Sequence, residues 1–272
     1  MQAILLTTPG GASAEIYSYG AHLTSWKTAS GRQWIFLSSQ ATFEQGKSIR
    51  GGVPVIFPQF SERGPGPRHG FARTSQWQLI EAPSEAVDNA RCIFQLSSNQ
   101  ATGKIWPHQF TARYQITLSD AALELQLTVI NTDSKPFTFS AALHTYFAIS
   151  ALENVTLSGL CGKAFWNNDG SDFDTRHIQQ DDVVTLTDAM DRVYFAVPEP
   201  LQLADAKDAL TIAQSGFDDI VVWNPGREGA KNIGDMADEE YQSMLCVEAA
   251  VIDNPVTLKP GEGWVGVQRL TA

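Results

Sequence analysis

Short stretches of alternating hydrophobic and polar residues, separated by turn residues, make up most of this 272-residue chain. The stretch LELQLTVI, residues 123–130, has the two-residue period of a strand with one buried face, and the turn sequence NTDSKP follows it. The same pattern predicts further strands at 14–19, 76–81, 91–96, 111–118, 137–143, 155–157, 183–186, 201–203, 210–214, 220–223, 245–249 and 263–270. Many short strands at this spacing favour a sandwich or barrel over a fold in which helices and strands alternate.

One segment carries the signals of a helix. Asp235 precedes MADEEYQSM, which has acidic residues in its first turn, and this pattern predicts a short helix capped by Asp235. No linker, repeat or shift in composition marks a domain boundary. We therefore expect one all-β domain, residues 1–272, built from stacked antiparallel sheets with few short helices.

The composition limits the macromolecules that the protein could bind and its location in the cell. The net charge of −11 and the sequence pI near 4.8 argue against nucleic acid and anionic membrane surfaces. No apolar run approaches the roughly 20 residues of a membrane helix, and the N-terminus lacks the basic region of a secretory signal. We therefore expect a cytoplasmic protein with no membrane partner.

The cysteines give no sign of a metal site or a disulfide. Cys92, Cys161 and Cys246 lie far apart in the sequence, and no CxxC or mixed Cys/His cluster has the spacing of a zinc site. We expect all three to be reduced thiols in the core, and we expect no bound metal.

Residues 50–73, RGGVPVIFPQFSERGPGPRHGFAR, differ in charge from the rest of the chain. They contain five glycines, four prolines, a single acid and the cations Arg50, Arg63, Arg68 and Arg73, together with His69. Glycine and proline at this density predict a sharply turned loop. A local cluster of positive charge in an acidic protein indicates a site for a small anion.

Two hydrophobic segments each contain one ionisable residue. His144 lies in SAALHTYFAI and Glu248 in MLCVEAAV. A buried glutamate is rare unless it is paired, because an isolated carboxylate is costly to desolvate. His144 could be a core histidine, and Glu248 could form a structural ion pair with an arginine. If the two meet, they could instead act as a general acid and a general base.

The remaining candidates are each ambiguous. His69 could be a solvated loop residue or a polar contact to a ligand. Arg50 and Arg73 flank the loop and could converge on a phosphate, which arginine binds through two parallel hydrogen bonds, or both could be solvated. Asp191, in MDRVYF, could bind a hydroxylated ligand or pair with Arg192. Five aromatic residues could form apolar walls: Phe57, Phe60, Phe71, Tyr146 and Trp223.

Several of these segments together resemble a known family. The motifs IRGGVPVIFPQF, HGFAR, LHTYF, DRVYF, VVWNPG, MLCVEAA and LKPGEGW occur in this order between residues 49 and 264, and GAHLTSW precedes them. They are similar to the aldose 1-epimerase (mutarotase) superfamily and, within it, to the glucose-6-phosphate 1-epimerase group. This resemblance implies a galactose mutarotase-like β-supersandwich that interconverts the anomers of a small hexose phosphate without a cofactor. We expect the enzyme to act as a monomer.

The resemblance also assigns roles to individual residues. It implies that His144 and Glu248 are catalytic, that Arg50 and Arg73 bind phosphate, and that Asp191 binds the sugar. Two positions depart from the usual family pattern. Relatives commonly have a Gln that contacts the ligand at the position of Arg68. The arginine in this chain adds a cation there. Gly226 stands where an aromatic residue is common, so we expect one wall of the pocket to be more open.

Three other functions remain open from the sequence. An enzyme for unphosphorylated sugars would not need the convergent arginines. A non-catalytic module that binds sugar phosphates would not need the pair of His144 and Glu248. A glycosidase would need a second carboxylate near Glu248, for which Asp191 is the only modest candidate.

Overall fold

The computed structural model describes residues 3–85, 89–170 and 175–272. Its strands, in chain order, are β1 Ala3–Thr7, β2 Ser13–Tyr17, β3 His22–Lys27, β4 Val55–Ile56, β5 Gln78–Glu85, β6 Ala90–Ser97, β7 Phe110–Leu118, β8 Ala122–Asn131, β9 Phe137–Leu143, β10 Tyr146–Ala148, β11 Val155–Ser158, β12 Ala164–Asn167, β13 His177–Ile178, β14 Val183–Thr185, β15 Met190–Tyr194, β16 Leu201–Asp205, β17 Asp208–Ser215, β18 Asp219–Asn224, β19 Met244–Leu258 and β20 Gly263–Thr271. The α-helices are α1 Gln100–Ile105 and α2 Gly226–Ala230, and the 3₁₀ turns are Ala72–Thr74, Leu152–Asn154 and Glu240–Ser243.

The strands form three antiparallel sheets. The largest has nine strands in the order β14-β11-β16-β17-β20-β8-β7-β6-β5. The second has eight, in the order β13-β12-β15-β18-β19-β9-β4 with β10 also paired to β19, and the third contains β1-β2-β3. The prediction of an all-β fold of antiparallel sheets with few short helices is confirmed.

The main core lies between the two large sheets. On β8, Leu123, Leu125, Leu127 and Val129 are fully buried, and the residues between them are more exposed, as the alternation in the sequence predicts. The facing residues of the eight-stranded sheet belong to the same hydrophobic cluster. Its other face, called here the outer face, is therefore free to carry a different set of side chains.

Strand β19 is buried on both of its faces over most of its length. Val247 and Ala249 join the main core, and successive side chains of a strand point to opposite faces. Glu248 and Ala250 therefore point to the outer face, where Ala250 belongs to a second, smaller apolar cluster. Phe60, from the loop of residues 57–73, also packs in this cluster, so the loop covers part of the outer face.

A buried polar bridge holds the segment between β9 and β10. Thr145 and Gln268 are both fully buried, and the Thr145 hydroxyl donates to Gln268 Oε1 at 2.6 Å. Gln268 Nε2 donates in turn to the carbonyl oxygen of Val247 on β19 at 3.2 Å. The bridge therefore ties the backbone next to His144 both to β19 and to β20 of the nine-stranded sheet.

Two expectations about local structure need correction, and one helix has no counterpart among the predictions. Asp235 does not cap a helix, because its carboxylate pairs with Arg50 and the helical turn begins only at Glu240. Cys161 is an exposed thiol, whereas Cys92 and Cys246 are buried as expected. Helix α1 was not predicted, although Asn99 and Thr102 form a capping box at its start.

Among the described residues, no helix combines the length and apolar character required to cross a bilayer.

Replacing Thr145 with valine should destabilise the protein. The change leaves Gln268 Oε1 buried without its donor, which should lower the free energy of unfolding by about 1–3 kcal/mol in urea titrations. Thr257→Val is the matched control, because its hydroxyl contacts Thr138 at the exposed surface and its loss should cost less than about 0.5 kcal/mol. Equal effects of the two substitutions would contradict a structural role for the buried bridge.

Candidate active site

A cavity of about 450 Å³ opens between the outer face and the loop of residues 57–73. Seven of the candidate residues line this one cavity: Arg50, Arg68, His69, Arg73, His144, Asp191 and Glu248. They come from distant parts of the chain, and the folding of the sheet and loop brings them together.

The strand register explains why three of these side chains share one face. Glu248 pairs with Val221 on β18, two residues before Trp223. Trp223 pairs in turn with Asp191 on β15. Directly opposed residues of antiparallel strands lie on the same face, as do alternate residues of one strand. Glu248, Trp223 and Asp191 therefore all point from the outer face into the cavity.

His144 reaches Glu248 because β19 changes partner beside it. Leu143, the last residue of β9, pairs with Ala249, and Tyr146, the first residue of β10, pairs with Cys246. His144 thus lies at the break between two strands that flank the same part of β19. Its Nδ1 is 3.3 Å from Glu248 Oε1.

The burial of His144 and Glu248 sets their protonation. Burial raises the pKa of Glu248 well above its ordinary value; nearby Asp191 adds to this rise and Arg73 opposes it. Burial lowers the pKa of His144 well below its ordinary value, and His69 and the arginines add to this effect. His144 Nδ1 and Glu248 Oε2 are buried and make no hydrogen bond with the described residues. Both shifts favour the uncharged forms of the two groups, and each group can exchange a proton with a ligand in the cavity.

His69 is held as a neutral hydrogen-bond donor. The Ser61 backbone N–H donates to its Nδ1 at 3.2 Å, so Nδ1 must accept and the ring proton must lie on Nε2. Burial lowers the pKa of His69 to about 3, and the charges of Arg73 and Arg68 contribute to the shift. His69 therefore presents a fixed N–H donor to a ligand in the cavity.

The loop that carries His69 depends on close backbone contacts. Gly70 has a φ of +68°, and a Cβ at this position would lie 2.1 Å from the carbonyl oxygen of Phe57. The Phe71 N–H donates to this same oxygen at 3.0 Å, and Gln59 Oε1 accepts from the Gly66 N–H at 2.7 Å. These contacts fix the position of His69 over the outer face.

The two arginines expected to bind phosphate are not equivalent. Arg50 donates from Nε to Asp235 Oδ1 at 2.9 Å and from a terminal nitrogen to the Tyr146 hydroxyl at 3.1 Å. Arg73 donates to the carbonyl oxygen of Arg68 at 3.0 Å, and its Nε is buried without a hydrogen bond to the described residues. Arg50 is therefore compensated by a carboxylate, whereas Arg73 keeps an unused donor.

Asp191 is held by Asn168 and does not pair with Arg192. Asn168 Nδ2 lies 3.2 and 3.1 Å from the two carboxylate oxygens of Asp191. Burial raises the pKa of Asp191 to about 6, although the Asn168 hydrogen bond and Arg68 lower it. The guanidinium of Arg192 instead lies over the ring of Phe165, 4.5 Å from its centroid. Asp191 is thus positioned for a ligand.

Two aromatic side chains fix the imidazole ring of His144. Tyr146 stacks on it, with ring centroids 4.8 Å apart and an interplanar angle of 9°. Trp223 packs edge-on, with centroids 5.9 Å apart and an angle of 83°. Both line the cavity, as does Phe60, whereas Phe57 and Phe71 belong to the main core.

Two further positions considered in the sequence analysis, Arg63 and Gly226, lie outside the cavity. Arg63 is exposed, and its guanidinium stacks over Trp166 at 4.2 Å from the ring centroid. Gly226 is the first residue of α2 and does not line the cavity, and the more open wall expected there stays a prediction. It has a φ of +64°, and a Cβ there would lie 2.4 Å from Asp188 Oδ1 and 2.5 Å from the Ala189 nitrogen. The glycine therefore serves a tight turn in this chain.

Two polar residues that the sequence does not indicate position candidate residues: Asn168 lines the cavity and binds Asp191, and Asp235 binds Arg50 from the adjoining turn. Asn168 follows β12 in a turn, and Asp235 carried the signal of a helix cap. Neither local pattern indicates the tertiary contact that the residue makes. Within the described residues, no cluster of three or more His, Cys, Asp or Glu side chains could hold a metal ion.

Comparison with known proteins places these features in a family. The aldose 1-epimerase family model matches residues 2–271. A protein from Cenchrus ciliaris named "Putative glucose-6-phosphate 1-epimerase" is 37% identical over 281 residues, which cover 100% of this chain and 85% of the relative. A protein of the same name from Escherichia coli strain K12 is 34% identical over 85% of this chain and 77% of its own length.

Solved structures share the fold. The crystal structure of a "putative mutarotase" from Salmonella typhimurium superposes with a TM-score of 0.89 at 30% identity, covering 98% of this chain and 88% of that one. Galactose 1-epimerase from Lactobacillus acidophilus superposes with a TM-score of 0.71 at 16% identity, covering 98% of this chain and 92% of its own. At that identity, the second comparison supports the galactose mutarotase-like fold alone.

The raised pKa of Asp191 predicts how stability changes with pH. The unfolded chain ionises Asp191 near pH 3.9, whereas the folded protein keeps its proton to about pH 6. Relative to Asp191→Asn, the wild type should therefore lose about 1–3 kcal/mol as pH rises through this window, with little change outside it. Urea unfolding of both proteins between pH 3.5 and 8 measures the difference. A difference that is constant with pH would contradict the raised pKa.

Proposed function

The chain belongs to the aldose 1-epimerase family, and we propose that it interconverts the α and β anomers of hexose 6-phosphates, with glucose 6-phosphate as the preferred substrate. One observation carries the proposal. A buried pair of one carboxyl group and one imidazole shares a cavity with three arginines. The pair suits acid–base chemistry on a hemiacetal, and the arginines suit a phosphate.

In the proposed mechanism, Glu248 removes the proton from O1 of the sugar and His144 protonates the ring oxygen O5. The C1–O5 bond breaks with its electron pair moving to O5, and a carbonyl group forms at C1. Rotation about the C1–C2 bond presents the other carbonyl face. Ring closure then reverses both proton transfers and gives the other anomer. His69 would donate its Nε2 proton in a hydrogen bond to O5 or to a hydroxyl group.

The two pKa shifts match the state of the pair after ring opening, in which Glu248 carries the proton and His144 is neutral. A raised pKa makes the Glu248 carboxylate a stronger base, and a lowered pKa makes the protonated His144 a stronger acid. The pair carries one proton throughout, and it returns to its starting state because ring closure reverses both proton transfers. Asp191, held by Asn168, would bind a sugar hydroxyl group on the opposite side of Trp223.

The proposed phosphate contact depends mainly on Arg73. Its Nε is buried and unused, and a phosphate oxygen would satisfy it. Arg68 and Arg50 line the same cavity and add positive charge. We also expect the enzyme to work as a monomer in the cytoplasm.

Substitution of either member of the buried pair should abolish most of the activity. Glu248→Gln and His144→Ala should each lower kcat for glucose 6-phosphate by about 10²–10⁴-fold, because a positioned acid or base contributes that much to a rate. Polarimetry of a freshly dissolved single anomer, corrected for spontaneous mutarotation, measures the effect. Near-wild-type rates in both variants would refute the assignment.

A control carboxylate separates chemistry from a general loss of charge. Glu124→Gln lies on the nine-stranded sheet, where Glu124 pairs with Arg269, and should retain wild-type activity. If the wild type binds glucose 6-phosphate but leaves its mutarotation rate unchanged, the protein is a sugar-phosphate-binding module. Hydrolysis of a glycoside, lost in both Glu248→Gln and Asp191→Asn, would indicate a glycosidase.

Loss of Arg73 should affect phosphorylated substrates selectively. Arg73→Ala should raise KM for glucose 6-phosphate by about 10- to 100-fold, because a charge-assisted hydrogen bond is worth roughly 1.5–3 kcal/mol, and should scarcely change kcat/KM for free glucose. Arg63→Ala is the matched control, since Arg63 lies in the same loop but outside the cavity. Equal losses on both sugars would mean that Arg73 does not bind phosphate. A wild type that prefers free glucose would be a mutarotase for unphosphorylated sugars.

A further inference from the structure

Asp235 forms an ion pair with Arg50, one of the arginines that the proposed function places near the phosphate. Its Oδ1 accepts from Arg50 Nε at 2.9 Å, and the two side chains are 26% and 24% exposed. From this contact we infer that Asp235 is a specificity-determining residue, an internal carboxylate that holds Arg50 in the free protein and weakens the binding of phosphorylated sugars. This inference rests on the proposed function, because it concerns the phosphate end of the same site.

The position of Asp235 is fixed by contacts on both sides. Its backbone carbonyl oxygen accepts from the Ser38 hydroxyl at 2.9 Å, and the next residue, Met236, is buried. Glu240 accepts from the Ser39 N–H and the Ala237 N–H at 2.7 and 3.0 Å, which closes the turn around Asp235. The carboxylate is therefore held beside Arg50 by the fold itself.

A second cavity of about 760 Å³ adjoins the first, and Arg68 and Arg73 line both. Lys47 also lines the second cavity. Among the described residues that line it, Asp235 is the only acid. A phosphate group placed at the junction of the cavities would therefore lie near four cations, Arg50, Arg68, Arg73 and Lys47, and near the negatively charged carboxylate of Asp235.

The carboxylate must oppose the binding of a phosphate dianion in two ways. Like charges repel at this separation, and Arg50 cannot turn Nε towards phosphate while it donates to Asp235. The substrate and the product of an anomer exchange carry the same phosphate. A site that held phosphate too tightly would bind both equally and would not accelerate the chemical step. The Asp235 carboxylate would therefore raise KM for the phosphorylated sugar and leave kcat unchanged.

Asp235→Asn tests the inference, because the amide can keep an oxygen for Arg50 Nε while it removes the charge. The affinity for inorganic phosphate, measured by titration calorimetry, should rise about tenfold, and KM for glucose 6-phosphate should fall by a similar factor. The kcat/KM for free glucose should stay within about twofold of the wild type, since no phosphate is involved. Asp238→Asn is the matched control: it makes the same charge change in the same turn at an exposed residue that lines neither cavity, and should leave phosphate affinity unchanged.

Each outcome separates this inference from the proposed function. Unchanged or weaker phosphate binding in Asp235→Asn would overturn the inference, since Asp235 would then only orient Arg50. An equal gain in Asp238→Asn would overturn it too, because the effect would come from net charge. If the wild type binds phosphate but does not accelerate mutarotation, the proposed function fails. The ratio of the phosphate affinities of Asp235→Asn and the wild type then still decides the role of Asp235. Failure of both proteins to bind phosphate would overturn the inference.

Discussion

The burial of one carboxyl group, that of Glu248, is the constraint around which the rest of the site is arranged. Strand β19 is covered on both faces, so Glu248 cannot reach bulk water even though it points away from the main core. Desolvating a carboxylate is costly, and the cost is limited here by a neighbouring imidazole and by the charge of Arg73. The break between β9 and β10 places the imidazole of His144 beside Glu248 on β19. The polar bridge from Thr145 to Gln268 holds that break in register with both large sheets.

Tyr146 joins the two functions of the cavity in a single side chain. Its ring stacks on His144, and its hydroxyl accepts from Arg50. The acid–base pair and the cationic side of the cavity are therefore held at a fixed separation by a rigid aromatic ring. The arginines of the cavity can create a local positive potential although the net charge of the protein is −11. Most of the acidic residues lie farther from the cavity, and solvent and salt screen their charges over that distance.

The sequence predicts the strands well wherever one face is buried, because alternation then reports burial directly, as on β8. It fails where tertiary contacts decide the local structure. The acids before the turn at Glu240 look like a helix start, but Glu240 binds backbone N–H groups of two separate segments and Asp235 binds Arg50. For the site, an unexplained glutamate in an apolar strand was a sound physical signal, and the family motifs supplied its partner. The difference between Arg50 and Arg73 could not be predicted, because Asp235 lies 185 residues from Arg50 in the sequence.

The loop of residues 57–73 has two opposing effects on the basicity of Glu248. By covering the outer face with Phe60, it removes water and so raises the pKa of the carboxyl group. The same loop ends in Arg73, whose charge lowers that pKa. Both effects come from one segment, so a change that loosens the loop both admits water and moves Arg73 away. At Glu248 the first lowers the pKa and the second raises it, so the two changes partly cancel. They do not cancel at His144, where burial and the Arg73 charge both lower the pKa. A looser loop therefore raises the pKa of His144 through both effects, whereas the two effects oppose each other at Glu248, so the closed loop keeps His144 a strong acid when it is protonated.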